Sequence, residues 1–143
     1  MAHSTVAAFK AALLTQLQNR SGLSGVQISY GWPSGAVQRE SIMLGQVNVQ
    51  QEFRIIGRPD MKMEEYDAIV HITIIKEGVG LQQTCDERAL TVLAEVEAEL
   101  QGNATMNNTV LTAHASAYQL EPMANENTRQ ANITLTIHVT ARI

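Results

Sequence analysis

The sequence predicts an α+β fold: a mostly antiparallel sheet of about five strands with two helices packed on one face. Residues 133–143 alternate apolar and polar side chains without interruption, which is the pattern of a half-buried strand. Two other segments repeat apolar residues at helical spacing, and the connections between consecutive strands are short, which favours hairpins. A chain of 143 residues fits one domain, so residues 1–143 are interpreted as a single unit.

The first helix is predicted from Ser4, a good N-cap residue, to about residue 19. Its apolar residues lie on one side of a helical projection, as expected for a helix that packs on a sheet. They are Val6, Phe9, Leu13, Leu14 and Leu17.

Two extended segments follow the first helix. A short strand alternates around Ile28 and is ended by the turn residues 31–35. A longer segment covers about 41–56, and Gly45 within it predicts a bulge or a bend. The apolar residues of this longer segment share one face: Val47, Val49, Phe53 and Ile55.

A polar loop at 57–65 leads into a third strand at 66–75. One face of this strand is apolar: Ala68, Val70, Ile72 and Ile74. The opposite face is only half polar, which indicates that water alone does not cover it. It consists of Asp67, Ile69, His71, Thr73 and Ile75.

The second helix is predicted to begin at a capping box formed by Thr84 and Glu87 and to end at Gly102. Its buried residues are Ala89, Val92, Leu93, Val96 and Leu100. A fourth strand is predicted at 109–120 and a connection at 122–129. The final strand then directs Ile133, Leu135, Ile137, Val139, Ala141 and Ile143 to the core.

Composition limits the classes of partner. The net charge is -4 with a pI near 5.5, so the whole chain offers no general attraction to nucleic acid or to an anionic membrane. The N-terminus lacks the basic start and apolar core of a signal peptide, and no segment reaches the length of a membrane span. We therefore expect the protein in a cytoplasm or in a particle assembled there.

Neither a metal site nor a catalytic centre is predicted. The histidines at 3, 71, 114 and 138 never fall at the spacing of a local ligand pair. Cys85 is the only cysteine, so no internal disulfide can form. Although Cys85 lies near a helix N-terminus, the neighbouring carboxylates Asp86 and Glu87 disfavour a thiolate, and we interpret it as a small buried side chain. We expect no cofactor, and the glycines at 78 and 80 indicate a turn rather than a phosphate loop.

Three sets of residues are candidates for interfaces. Glu95 and Glu99 lie with Glu97 in the last turns of the second helix, where the helix dipole disfavours anions. Such a cluster is a solvated acidic face, a surface for a basic partner, or a surface that keeps DNA from sticking. The loop at 57–65 carries Arg58, Met61, Lys62 and Met63, whose methionines either dock a partner or fold back on their own sheet. The polar face of the final strand supplies Thr134, Thr136, His138 and Thr140.

The segment Val-Gln-Ile-Ser-Tyr-Gly-Trp-Pro at 26–33, followed by Glu-Ser-Ile-Met-Leu-Gly at 40–45 and an extended segment at 47–49, resembles the tail terminator proteins of long-tailed bacteriophages. These are also called tail completion or head-to-tail joining proteins. The similarity extends to the order of elements and to the long final strand, so it covers nearly the whole chain.

The resemblance implies a virion structural protein without catalytic residues. Such proteins form a ring, usually of six subunits, that caps the tail tube, stops its polymerisation and joins it to the head. The implied partners are other copies of the chain, the tail tube protein and the head-tail connector, with DNA passing through unheld. The implied location is the tail-neck junction of the virion. Two alternatives stay open: another ring component of the neck or tail, such as a connector adaptor or tube subunit, and a small α+β enzyme or ligand-binding domain.

Overall fold

The computed structural model describes residues 4–33, 35, 36, 38–53, 62–78 and 80–142. The helices are α1 (Val6–Gln18) and α2 (Gln82–Gly102). The strands are β1 (Gln27–Ser29), β2 (Glu40–Phe53), β3 (Lys62–Glu77), β4 (Thr112–Ala124) and β5 (Thr128–Arg142).

The strands form one sheet in the order β1-β2-β3-β5-β4. The β2-β3, β3-β5 and β4-β5 pairs are antiparallel, whereas β1 pairs with β2 in parallel. The predicted α+β class is confirmed, but the sheet is mixed. The parallel pair arises because β1 and β2 are joined by a crossover rather than by a hairpin.

One hydrophobic core lies between the sheet and the helices. β5 supplies its centre, and the predicted alternation is confirmed at Ile133, Leu135, Ile137, Val139 and Ala141, all of which are buried. The predicted faces of the helices and of the third strand also supply core residues: Phe9, Leu13, Leu17, Ala68, Val70, Ile72, Ile74, Ala89, Val92, Leu93, Val96 and Leu100.

The Gly45 bulge is confirmed, because the β2-β3 register shifts between Leu44 and Val47. The shift moves the core-facing positions of β2 from even to odd residue numbers. A Cβ at Gly45 would lie 2.9 Å from Nε2 of His71 and 3.1 Å from the carbonyl oxygen of Ile69. Glycine is therefore required for the close approach of the two strands here.

The predicted start of the second helix is wrong. The helix begins at Gln82, and the amide of Cys85 already donates to the carbonyl of Leu81 at 3.0 Å. The Glu87 carboxylate accepts a hydrogen bond from the Gln83 side-chain amide at 2.9 Å. Thr84 therefore lies inside the helix, and the proposed Thr84–Glu87 capping box does not form. Similarly, the N-cap of α1 is Thr5 rather than Ser4.

Three strands extend beyond their predicted bounds, and one of them is β5, which begins at Thr128 rather than at Ile133. β3 begins at Lys62, so residues 62–65 are strand rather than loop. β4 runs to Ala124 and includes Pro122, which was predicted to lie in a connection. An edge strand tolerates proline because only one of its sides needs backbone donors.

Candidate assembly surfaces

The face of the sheet opposite the helices carries the polar side chains of β5. Thr134 is exposed, while Thr136, His138 and Thr140 are half-buried among the side chains of neighbouring strands. The structure places these four residues on one face, as the alternation predicts. Their role in an interface stays a prediction.

A small polar cluster lies on this open face. Nδ1 of His138 lies 3.0 Å from Oδ1 of Asp67, and the rings of His138 and His114 are tilted with centroids 5.6 Å apart. His71 lies further along β3, opposite Thr134, so His71 and His138 share a face. Among the described residues, no group of three or more His, Cys, Asp or Glu side chains is arranged to hold a metal ion.

A groove of about 430 Å³ opens on the same face beside β1. The residues that line it include Trp32, Pro33, Met43, His71 and Ile75. The described residues that line it include no Asp, Glu, Lys or Arg. This lining suits an uncharged, largely apolar segment of a partner better than an ionic ligand.

Exposed apolar side chains concentrate at the two edges of the sheet. Seven large hydrophobic residues are exposed among the described residues, and six of them lie at these edges. Tyr30, Trp32 and Val49 lie on or beside β1 and β2, and Leu111, Tyr118 and Met123 lie on or beside β4. The seventh, Leu90, belongs to α2. Scattered exposed apolar residues are normal in proteins, but their segregation to two opposite edges makes these edges candidate contact surfaces.

Glu64 is a buried carboxylate whose role was not predicted from the sequence. It is 0% exposed and accepts hydrogen bonds from the Ser4 hydroxyl at 2.6 Å, the Thr5 amide at 2.9 Å and the Thr5 hydroxyl at 2.8 Å. The Gln51 side-chain amide donates to it at 3.3 Å. Glu64 therefore caps the N-terminus of α1 from a distant strand, where the helix dipole favours an anion.

The surroundings of Glu64 shift the pKa values of two side chains, Glu64 itself and Tyr66. Burial raises the pKa of Glu64, but the hydrogen bonds from Ser4, Thr5 and Gln51 outweigh burial, and the net pKa is lower than its usual 4.5. Burial, the largest cause, and the Glu64 charge raise the pKa of Tyr66, the hydrogen bond with Thr5 lowers it, and the net pKa is about 12. The sequence signal for this site was Glu64 itself, an acidic residue at a core-facing position two residues before Tyr66.

The predicted docking loop is only partly described. Arg58 and Met61 lie outside the described residues. Lys62 is the first residue of β3, and Met63 is a half-buried strand residue opposite Glu52 and Arg142. At Lys62 and Met63 the expectation of a loop is therefore wrong, because the β2-β3 ladder continues through them.

The acidic face of α2 is partly neutralised within the chain. Nε of Arg20 lies 2.7 Å from Oε2 of Glu95, and the Glu95 carboxyl group occupies space that a Cβ at Gly22 would fill. Glu97 and Glu99 are half-buried. Glu95 thus joins α2 to the turn after α1, which sequence reasoning did not foresee.

A second ion pair holds the start of α2 against the sheet. Arg88 donates two hydrogen bonds of 3.0 Å to the Glu40 carboxylate. The Glu40 hydrogen bond raises the pKa of Arg88 despite partial burial. Cys85 is buried near this end of the helix, with Sγ 3.4 Å from the carbonyl oxygen of Arg129. Its interpretation as a small buried side chain is confirmed.

Comparisons with known proteins establish the fold. No family model and no curated protein sequence matches the chain. A solved chain from the virion of a native gene transfer agent particle has a similar structure, with a TM-score of 0.62 and 12% sequence identity. The similarity covers 98% of this chain and 100% of that chain. In the parts of this chain that the structure describes, no helix is both long and apolar enough to cross a membrane.

Proposed function

We propose that the protein is a virion structural protein, and more specifically a tail terminator that forms a ring on the tail tube. The observation that carries this proposal is the fold similarity to a chain of a gene transfer agent virion, which covers 98% of this chain and 100% of that chain. The resemblance at 26–33 and 40–45 supports the tail terminator class from the sequence itself.

In this function the domain binds other surfaces and performs no chemistry. The ring caps the tube, stops its polymerisation and joins it to the head-tail connector. Its partners are other copies of the chain, the tail tube protein and the connector, and it resides at the tail-neck junction of a virion assembled in the bacterial cytoplasm. The two apolar edges and the open Thr-rich face provide the contact area that this role requires.

Purified protein should form closed rings, most of them with six subunits, when imaged by negative-stain electron microscopy. The reason is that one sheet presents two different apolar edges, and contacts between unlike surfaces generate rings or filaments. Long tubes in the images would favour the tube-subunit alternative. A small compact particle that also fails to bind tail tubes would contradict the proposal and favour the enzyme or ligand-binding alternative.

The protein should bind duplex DNA weakly at most. The chain has 10 Lys and Arg against 14 Asp and Glu, and Arg20, Arg39 and Arg88 already pair with acidic side chains of the same chain. The charges of the subunits add in a ring, and at physiological salt their repulsion of DNA extends over about 8 Å. A gel-shift titration should show no retained complex. Tight, salt-sensitive retention would contradict this prediction and indicate a DNA-gripping component.

A further inference from the structure

We propose that neighbouring subunits join by backbone pairing, with β4 of one copy lying antiparallel to the β1-β2 edge of the next copy. This inference rests on the proposed ring-forming function and names the surface that closes the ring. It is carried by the free backbone groups of two strands, by the direction of those strands and by the aromatic side chains beside them.

β4 is a long edge strand whose bulge and Pro122 leave the stretch 117–121 between them without protection. It has 13 residues and pairs only with β5 among the described strands. Between Thr112 and Glu121 it contains no Lys, Arg or Pro, the residues with which proteins commonly block an exposed edge. Such an edge is a template for another strand.

The bulge in β4 determines which backbone groups face outward. Pro122 lies opposite Ala131 in the ladder and has no N–H, so its nitrogen occupies a position directed away from β5. Leu120 and Tyr118 lie two and four residues before Pro122, and the register is regular from Ala117 onward. In a regular strand, alternate residues direct their backbone groups to the same side. The N–H groups of Leu120 and Tyr118 therefore point away from β5 and are available to another strand.

The start of β4 is covered by its own chain. The Ala113 amide donates to the carbonyl of Ala104 at 2.7 Å, so its outward side is already occupied. The register shift between Ala115 and Ala117 then changes the outward positions from odd to even residue numbers. The free part of the edge thus begins after the bulge and includes Tyr118 and Leu120.

The opposite edge of the sheet is also incomplete. β1 pairs with β2 only at residues 41–43, and β2 continues to Phe53. Beyond Met43, β2 has β3 as its one strand neighbour in the described part of the chain. Residues 44–53 contain no Lys, Arg or Pro, and the edge is covered at its start by Lys10, whose Nζ donates to the Gly45 carbonyl at 3.2 Å.

Strand direction makes the two edges compatible. β2 runs antiparallel to β3, β3 to β5 and β5 to β4, so β4 is antiparallel to β2. Leu120 lies level with Ile28 of β1, because it pairs with Ile133, and the ladder continues from Ile133 through Ile72 and Ile42 to Ile28. If each copy is rotated about an axis along the strands, the free part of β4 therefore meets β1 of the next copy, and the sense is antiparallel because β1 is parallel to β2. The two edges differ in sequence, so the contact is heterologous and permits a ring.

The register places aromatic residues at the junction. Tyr118 of β4 pairs with Leu135 of β5, and Leu135 pairs with Val70 of β3. Val70 in turn pairs with Leu44 of β2. Tyr118 therefore lies level with the end of β1, immediately before Tyr30 and Trp32. Their exposed fractions are 52% for Tyr118, 42% for Tyr30 and 83% for Trp32. Pairing of the edges brings Tyr118 of one copy beside Tyr30 of the next on the helix side of the sheet and removes both from water, whereas Trp32 lies on the open face in the groove.

The test compares Tyr118→Pro with Tyr118→Ala by sedimentation velocity over a range of concentrations. Both variants lose the aromatic ring, but only proline removes the outward N–H and blocks an approaching strand. Tyr118→Pro should raise the concentration for half-assembly about tenfold or more above that of Tyr118→Ala, the effect of one lost hydrogen bond plus a steric block. Equal assembly of the two variants would overturn edge pairing.

Hydrogen exchange of the wild-type protein provides a second readout that needs no variant. In assembled rings the Leu120 amide should exchange at least about tenfold more slowly than in diluted monomer, because a new hydrogen bond protects it. Rings with a fast-exchanging Leu120 amide would overturn the pairing while leaving the proposed function intact. Protein that forms no rings and fails to bind tail tubes would overturn both.

Discussion

Replacing Ile137 with alanine should lower the free energy of unfolding by about 2–5 kcal/mol, through the lost transfer of apolar atoms and the cavity left behind. Ile137 is 0% exposed in the middle of β5. Its neighbours in the ladder are Ala68 on β3 and Ala115 on β4, and neither alanine side chain can extend into the cavity.

Thr136→Ala is the matched control, because Thr136 is the adjacent residue on the opposite face. It is half-buried, and its change should alter the free energy of unfolding by no more than about 0.5 kcal/mol. Urea unfolding of both variants at one protein concentration measures the difference and holds any effect of assembly constant. Equally mild effects would mean that the alternation of β5 does not separate core from surface.

The sequence predicts those parts of the fold that depend on local periodicity. The alternation in β5 and the helical spacing of Val92, Val96 and Leu100 each identify a buried face without knowledge of the partner. Gly45 likewise identifies a bulge because the constraint is on its own backbone. Strand order and the ends of elements depend on contacts between distant residues, so the parallel β1-β2 pair and the extent of β4 to Pro122 and beyond were not foreseen.

The candidate surfaces also divide into those that a local sequence pattern predicts and those that depend on contacts between distant residues. The Thr-rich face of β5 is predicted correctly as a face because it is a period-2 pattern. The partner of Glu95 is not predictable in this way, since Arg20 lies 75 positions earlier in the chain. Edge strands depend on distant contacts in the same way: within Thr112–Ala124, Pro122 is the local sign of an edge strand, but it does not show which strand lies on the other side. The order of strands is needed to identify the backbone groups that lack a strand partner, and hence where we propose that a second subunit pairs.

Glu64→Ala should lower the free energy of unfolding at neutral pH by about 2–4 kcal/mol, because it leaves buried donors without an acceptor. The Thr5 amide and the hydroxyls of Ser4 and Thr5 all donate to this carboxylate. Glu64→Gln keeps the shape of the side chain and one acceptor oxygen, so its effect should be smaller and in the same direction. Thermal or urea unfolding measures both, with exposed Glu126→Gln as the control.

The dependence of this effect on pH separates charge from packing. The pKa of Glu64 in the folded protein is lower than its usual 4.5, so the ionised carboxylate stabilises the fold fully above that pH. This stabilisation is lost as the pH falls through the lowered folded-state pKa. The difference in unfolding free energy between wild type and Glu64→Gln should therefore narrow as the pH falls from about 6 to about 3. A difference that is constant over this range would mean that Glu64 acts through packing alone, and that the N-terminus of α1 does not depend on its charge.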